Sequence, residues 1–253
     1  MKDTGKSILT SLYRAFSWIT GFRRPRFVFI IGHMRSGSSL LSHLLLSNAE
    51  IMGLGESNAI YSQQIDLWRL VMKAQWQQRH FSSTARYLDQ INHNEKTPQT
   101  PLLQKNNVQL ICLIREPAHA TASIIKLAQD YYTPWTQEQA EAYLSQRYEG
   151  ILQLAQSLPK DRVIWVEYEK LTRQSEETLA RLSDFLTLNT PLSPEYETHS
   201  FSGKHGDPSD NLKSGQINRQ AIKKELPPVG GACQKAYGRC IELARSGGKS
   251  SAT

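Results

Sequence analysis

The sequence predicts an α/β domain with three layers around a mainly parallel central sheet. Two observations carry that reading. Phe27–Ile31, Val108–Ile114 and Val163–Val166 are short apolar runs rich in Val, Ile and Leu, the pattern of strands buried on both faces. Between them lie longer stretches with apolar residues at three- and four-residue spacing, so strands alternate with helices.

Taken in order, residues 1–25 form an N-terminal segment with Ile8, Leu12, Phe16 and Ile19 at helical spacing and Trp18 beside them. Arg14, Arg23, Arg24 and Arg26 add positive charge. Such a stripe ordinarily packs on its own domain, and the alternative is peripheral membrane contact through residues 8–22. The first strand runs straight into Gly32, and Leu40, Leu41, Leu44 and Leu45 mark a helix after it. The spacing of Tyr61, Ile65, Trp68, Met72 and Trp76 predicts a second amphipathic helix, with these aromatics read as core before cleft lining. After the second strand, Pro117 suits a first helical position, and that helix is expected to reach about Gln129. Thr136 with Gln139 reads as a capping box for a helix running to Pro159. Ser175, Glu176 and Glu177 open another, whose buried stripe is Leu179, Leu182 and Phe185. Residues 192–220 read as a long loop, 26–245 as one domain and 246–253 as a disordered tail.

A chain of 253 residues with 39% hydrophobic content can bury one full core. Its net charge of +7 suits an anionic ligand, nucleic acid or an acidic membrane surface. The cations are scattered and no long basic tract occurs, so no nucleic-acid partner is expected. Cys112, Cys233 and Cys240 are odd in number and lack metal-ligand spacing, which predicts free thiols and a reducing, cytoplasmic setting. No apolar stretch reaches the length of a membrane span, and no secretory signal is expected.

The most informative segment is Gly32-His-Met-Arg-Ser-Gly-Ser-Ser39. It joins a buried strand to a helix, where backbone N–H groups and the helix dipole favour an anion. Ser36, Ser38 and Ser39 add hydroxyl donors, and Gly32 and Gly37 permit tight turns. Against the pattern G-x-x-x-x-G-K-[ST], Gly32, Gly37 and Ser39 match, but Ser38 stands in the lysine's place and the cation sits within the loop at Arg35. That departure counts against a P-loop kinase or other phosphotransferase, which would also want a strand-end Asp for magnesium. The plainer alternative is a serine-rich turn that only caps a helix. The second strand ends in Arg115, at the carboxyl edge where ligands of open α/β sheets bind. A salt bridge to Glu116 or another acid is the alternative use of that arginine.

"FVFIIGHMRSGSSLL" resembles the 5′-phosphosulfate loop of sulfotransferases that use 3′-phosphoadenosine 5′-phosphosulfate (PAPS), in the Arg-Ser-Gly-Ser form of the carbohydrate and tyrosylprotein branches. "LICLIREPAHATASI" is similar to the family's 3′-phosphate motif, which implies that Arg115 and Ser123 grip that phosphate. "VIWVEYEKL" resembles the third family stretch and implies that Tyr168 lies near the adenine. The resemblance implies a P-loop-like sulfotransferase fold, with Arg35, Ser36, Gly37, Ser38 and Ser39 at the 5′-phosphosulfate. It also implies a PAPS co-substrate, the product 3′-phosphoadenosine 5′-phosphate (PAP), no required metal, and transfer to a small-molecule, carbohydrate, lipid or peptide hydroxyl. "MGLGESNAI" is similar to the segment that carries the catalytic glutamate in tyrosylprotein sulfotransferases, making Glu56 the candidate base; a helix-capping acid is the alternative. "HNEKTP" resembles the family's Lys-x-Pro segment, so Lys96 is a candidate contact to the transferring group, or else an exposed loop lysine. His33 and His93 are rival bases, and Lys204 in "GKHGDPSDNLKSG" is matched loosely to a late segment that closes over the nucleotide. A non-catalytic protein that keeps the nucleotide fold and docks on a membrane or partner is the alternative from outside enzymology.

Overall fold

The structure is a computed structural model, and it describes residues 25–79, 82, 84–198, 214–217 and 226–247. Five parallel strands form one sheet in the order β2-β3-β1-β4-β5: β1 Arg26–Ile31, β2 Ile51–Gly53, β3 Arg86–Ile91, β4 Val108–Ile114 and β5 Val163–Glu167. The helices are α1 Ser38–Leu46, α2 Gln64–Gln78, α3 Thr100–Lys105, α4 Pro117–Tyr131, α5 Gln137–Gln156, α6 Tyr168–Arg173, α7 Ser175–Leu186 and α8 Gly231–Gly247. Short 3₁₀ turns occupy Asn94–Lys96 and Lys160–Arg162.

Alternation along the strands divides the core in two. Phe27, Phe29 and Ile31 of β1, with Leu110, Cys112 and Ile114 of β4, face the layer of α2, α5 and α8. Val28, Ile30, Ile111 and Leu113 face α1 and α7. Both sides are covered, which is why these strands read as unbroken apolar runs. The three predicted strands stand where the sequence puts them, and Thr136 and Gln139 do form the capping box of α5. The helix from Pro117 continues two residues past Gln129, and α5 stops at Gln156 before Pro159.

Helix α2 corrects one expectation. Its buried face is Leu67, Leu70, Val71 and Ala74, while Met72 and Trp76 of the predicted stripe are 61% and 82% exposed. The helix is apolar on two faces, and the one made of aliphatic and small side chains allows the closer approach to the sheet. Strands β2 and β3 were not anticipated. β2 is only three residues long, and β3 carries Asp89 and Gln90 in its middle, which breaks the apolar pattern. The three cysteines are buried free thiols, as expected. The segment 8–22, Lys204 and residues 248–253 lie outside the described residues.

β1 leads leftward through α1 to β2, whereas the chain after β4 leads rightward to β5. The carboxyl ends of β1 and β4, which are adjacent, therefore flank the switch point of the sheet, where a crevice opens above the strands.

Candidate active site

The loop after β1 turns through two left-handed residues, Arg35 (φ 63°) and Gly37 (φ 90°). Gly37 is the N-cap of α1 and supplies no side-chain cap, and the first turn of α1 contains no acid, the setting in which leading helix N–H groups are suited to an anion. A methyl group on Gly37 would stand 2.3 Å from Cδ2 of Tyr168, which shows how closely that ring packs over the loop.

Arg115 follows β4 directly. Its Nη1 donates to the Arg35 carbonyl at 3.0 Å, and its guanidinium carbon lies 4.5 Å from the centre of the Tyr168 ring. Among the described residues its buried Nε has no hydrogen-bond partner, and neither has Ser36 Oγ. Glu116 does not pair with Arg115; it caps α4 through the His119 N–H and contacts the His119 ring. Among the described residues Arg115 forms no ion pair with a carboxylate. Across the crevice, Arg35 Nε donates to Ser123 Oγ on α4 at 2.9 Å. The structure thus joins Arg35, Ser36, Gly37, Arg115, Ser123 and Tyr168 in one network, with Ser38 buried and Ser39 half-buried at the start of α1.

Glu56 belongs to a second network, on the turn after β2. Its half-buried carboxylate accepts from Gln90 Nε2 at 3.0 Å and from Asn92 Nδ2 at 3.4 Å. Lys96 donates to the side-chain oxygen of Asn58 on the same turn, so both residues matched to the acceptor side are held together. The Tyr143 hydroxyl joins the two networks: it donates to the Asn92 carbonyl at 2.8 Å and accepts from the Met34 N–H at 2.9 Å.

His33 is a tether between the loop and β4. Its Nδ1 donates to the Met34 carbonyl at 2.8 Å and its Nε2 accepts from the Arg115 N–H at 3.2 Å, so both nitrogens are used. Burial, opposed in part by the bond to Met34 and helped by Arg147 and Arg115, pushes its pKa down to about 3, keeping it neutral. His93 is half-buried beside Tyr143, and burial lowers its pKa as well, partly offset by Glu95 and Glu56. Sequence reasoning overlooked Arg147. It is almost wholly buried on α5 and donates to the carbonyls of Gly32 at 2.5 Å and Ile91 at 2.6 Å, and to Asn94 Oδ1 at 2.8 Å. A cation in the stripe Ala140, Leu144, Arg147, Tyr148, Ile151 was the signal that could have revealed it.

Residues 106–191 match the model of the sulfotransferase family, a segment that contains Arg115, Ser123 and Tyr168. Over the whole fold, the sulfotransferase domain from the curacin biosynthetic pathway superposes with a TM-score of 0.59 at 18% identity, covering 87% of this chain and 98% of that one. This is a sulfotransferase fold. The sulfotransferase domain of the Synechococcus PCC 7002 olefin synthase gives a TM-score of 0.54 at 18% identity, over 88% of this chain and 95% of its own. No curated protein matches the sequence. The family resemblance and the fold expected from the three sequence motifs are borne out. In this sulfotransferase fold the two arginines, Arg35 and Arg115, follow the carboxyl ends of β1 and β4.

Proposed function

We propose that this chain is a PAPS-dependent sulfotransferase that moves a sulfuryl group to an acceptor hydroxyl by in-line displacement. The observation that carries the reading is Arg115: a guanidinium at the sheet edge, stacked on Tyr168, with a buried Nε that has no acceptor among the described residues. A buried donor left unmade costs about 1–3 kcal/mol, a cost that a phosphate oxygen would relieve. Ser36 Oγ presents the same unmet capacity inside the loop. In this reading Arg115 and Ser123 hold the 3′-phosphate, Tyr168 lies against the adenine, and Arg35, Ser36, Gly37, Ser38 and Ser39 hold the 5′-phosphosulfate.

PAPS supplies an activated sulfuryl group on a phosphate leaving group. Arg35 and the first N–H groups of α1 are suited to stabilise the charge that builds on the leaving side. Glu56 accepts the acceptor's hydroxyl proton as its oxygen bonds to sulfur. The sulfur–phosphate oxygen bond breaks, and its electron pair leaves with PAP. Lys96, tied to the turn that carries Glu56, is positioned for the transferring oxygens. The acceptor is a hydroxyl of a small molecule, carbohydrate, lipid or peptide. The three reduced thiols suit a cytoplasmic setting.

The test is turnover: PAP release from PAPS measured against a panel of phenols, sugars, fatty alcohols and tyrosyl peptides. Acceptor-dependent release, reduced at least about a hundredfold in Glu56→Gln (the lower end of what general base catalysis contributes), is the expected result. Acceptor-dependent release that is undiminished in Glu56→Gln would remove Glu56 from the mechanism.

A further inference from the structure

The grip on Glu56 comes almost entirely from one short stretch, Asp89-Gln90-Ile91-Asn92 at the carboxyl end of β3. On one face of the strand, Asp89 fixes the backbone of the Glu56 turn. Its carboxylate accepts from Ser57 N–H at 2.9 Å, from Tyr61 OH at 2.5 Å and from the Ser57 hydroxyl. The Gln90 N–H adds a bond to the Gly55 carbonyl at 3.0 Å. On the other face, Gln90 and Asn92 direct their amide N–H groups at the two carboxylate oxygens.

Gln90 differs from Asn92 in what stands behind it. Its Oε1 accepts from Ser42 Oγ at 3.0 Å, and both side chains are buried, Ser42 at 4% and Gln90 at 4% exposure. The amide nitrogen thus faces Glu56 and its oxygen faces the serine hydroxyl. Ser42 lies in the second turn of α1, the helix that opens at the anion loop. One amide therefore connects the nucleotide loop's helix to the candidate base.

We propose that Gln90 is a positioning residue for sulfuryl transfer, its amide oriented by Ser42 so that α1 sets the aim of the Glu56 carboxylate. The proposal rests on the reading of Glu56 as the base. It differs from a stabilising role for β3, because Asp89 and the Gly55 bond hold the turn whether or not the Gln90 amide is present.

Gln90→Leu keeps the side chain's approximate volume and removes both amide groups. The expected result is a fall in kcat of about 10- to 100-fold, the range for a catalytic group displaced by up to an ångström, with the KM for PAPS and the affinity for PAP unchanged. In a Glu56→Gln background the same substitution costs no more than about threefold, since coupled residues do not add. Ser42→Ala gives a smaller fall of the same kind. Equal losses in both backgrounds, or a loss of PAP affinity, would overturn the proposal. If Glu56→Gln alone leaves turnover intact, the base assignment fails instead, and the two failures are distinct. A crystal structure of Gln90→Leu supplies a readout that needs no acceptor: the Glu56 carboxylate leaves its present direction while the Ser57–Asp89 bonds persist. A carboxylate unmoved in that variant also counts against the proposal.

Discussion

Gly37→Ala is the smallest change that tests how the anion loop is built. The added methyl group meets Tyr168 twice, at 2.3 Å from Cδ2 and 2.6 Å from Cε2, well inside carbon–carbon contact. The ring cannot swing away freely, because Arg115 stacks on it at 4.5 Å and Arg115 is itself tied to the Arg35 carbonyl. Position 37 also has φ of 90°, a region in which a side chain costs roughly 1–2 kcal/mol. Relieving the overlap adds about 1–3 kcal/mol, the usual cost of overpacking. The sum is on the order of 2–5 kcal/mol, enough to lower Tm by about 4–20 degrees in a domain of this size. Thermal unfolding of Gly37→Ala and of Gly37→Ala with Tyr168→Ala separates the two causes. The double variant removes the overlap and leaves the backbone cost, so it should regain stability relative to the sum of the single changes. Strict additivity, or a Gly37→Ala protein as stable as the parent, would refute the packing of Tyr168 over the loop.

Two further predictions concern the core and the tether. Leu70→Ala should cost about 2–5 kcal/mol and Trp76→Ala no more than about 0.5 kcal/mol, because α2 buries Leu70 and exposes Trp76; chemical denaturation of both variants checks the phase of the helix. His33 has a folded pKa of about 3 against an ordinary 6.5, so the unfolded chain takes up a proton that the folded one refuses. Its contribution to stability is therefore complete above pH 6.5 and falls by about 1.4 kcal/mol per pH unit below it. Asp89, raised by burial to about 6 despite its hydrogen bonds, works in the opposite sense between about pH 6 and its ordinary 3.8. The His33 effect is best read as the difference between the parent and His33→Gln from pH 7 to 5, which should narrow as pH falls. A difference independent of pH would contradict the neutral tether.

Much of the architecture was legible because it rests on unbroken apolar runs. β1 and β4 are buried on both faces, β5 buries Trp165 and Val166, and strand, loop and helix follow one another within a few residues. The two edge-ward strands were not legible for opposite reasons. β2 is too short to show a pattern, and β3 gives its polar middle to the Glu56 turn. The phase of α2 was misread because spacing alone cannot rank two apolar faces of one helix. At the site, the residues that stand in sequence-local motifs, Arg35, Arg115, Ser123 and Tyr168, were identifiable, and the structure brings them together. The roles of those that act on other protein groups, His33, Gln90, Tyr143 and Arg147, become visible only once the loops after β1, β3 and β4 are side by side. A buried polar side chain on an otherwise apolar helix stripe, as at Arg147, is the one trace they leave in sequence.

The central claim is that the crevice above β1 and β4 is built for a nucleotide with a 3′-phosphate. Calorimetric titration with PAP beside adenosine 5′-monophosphate and magnesium–ATP tests it directly, in the parent and in Arg115→Ala. The account predicts that PAP binds most tightly and that Arg115→Ala weakens it by about 10- to 150-fold, the value of one charge-assisted contact, while leaving adenosine 5′-monophosphate nearly unchanged. Preference for magnesium–ATP, or PAP affinity indifferent to Arg115, would contradict it.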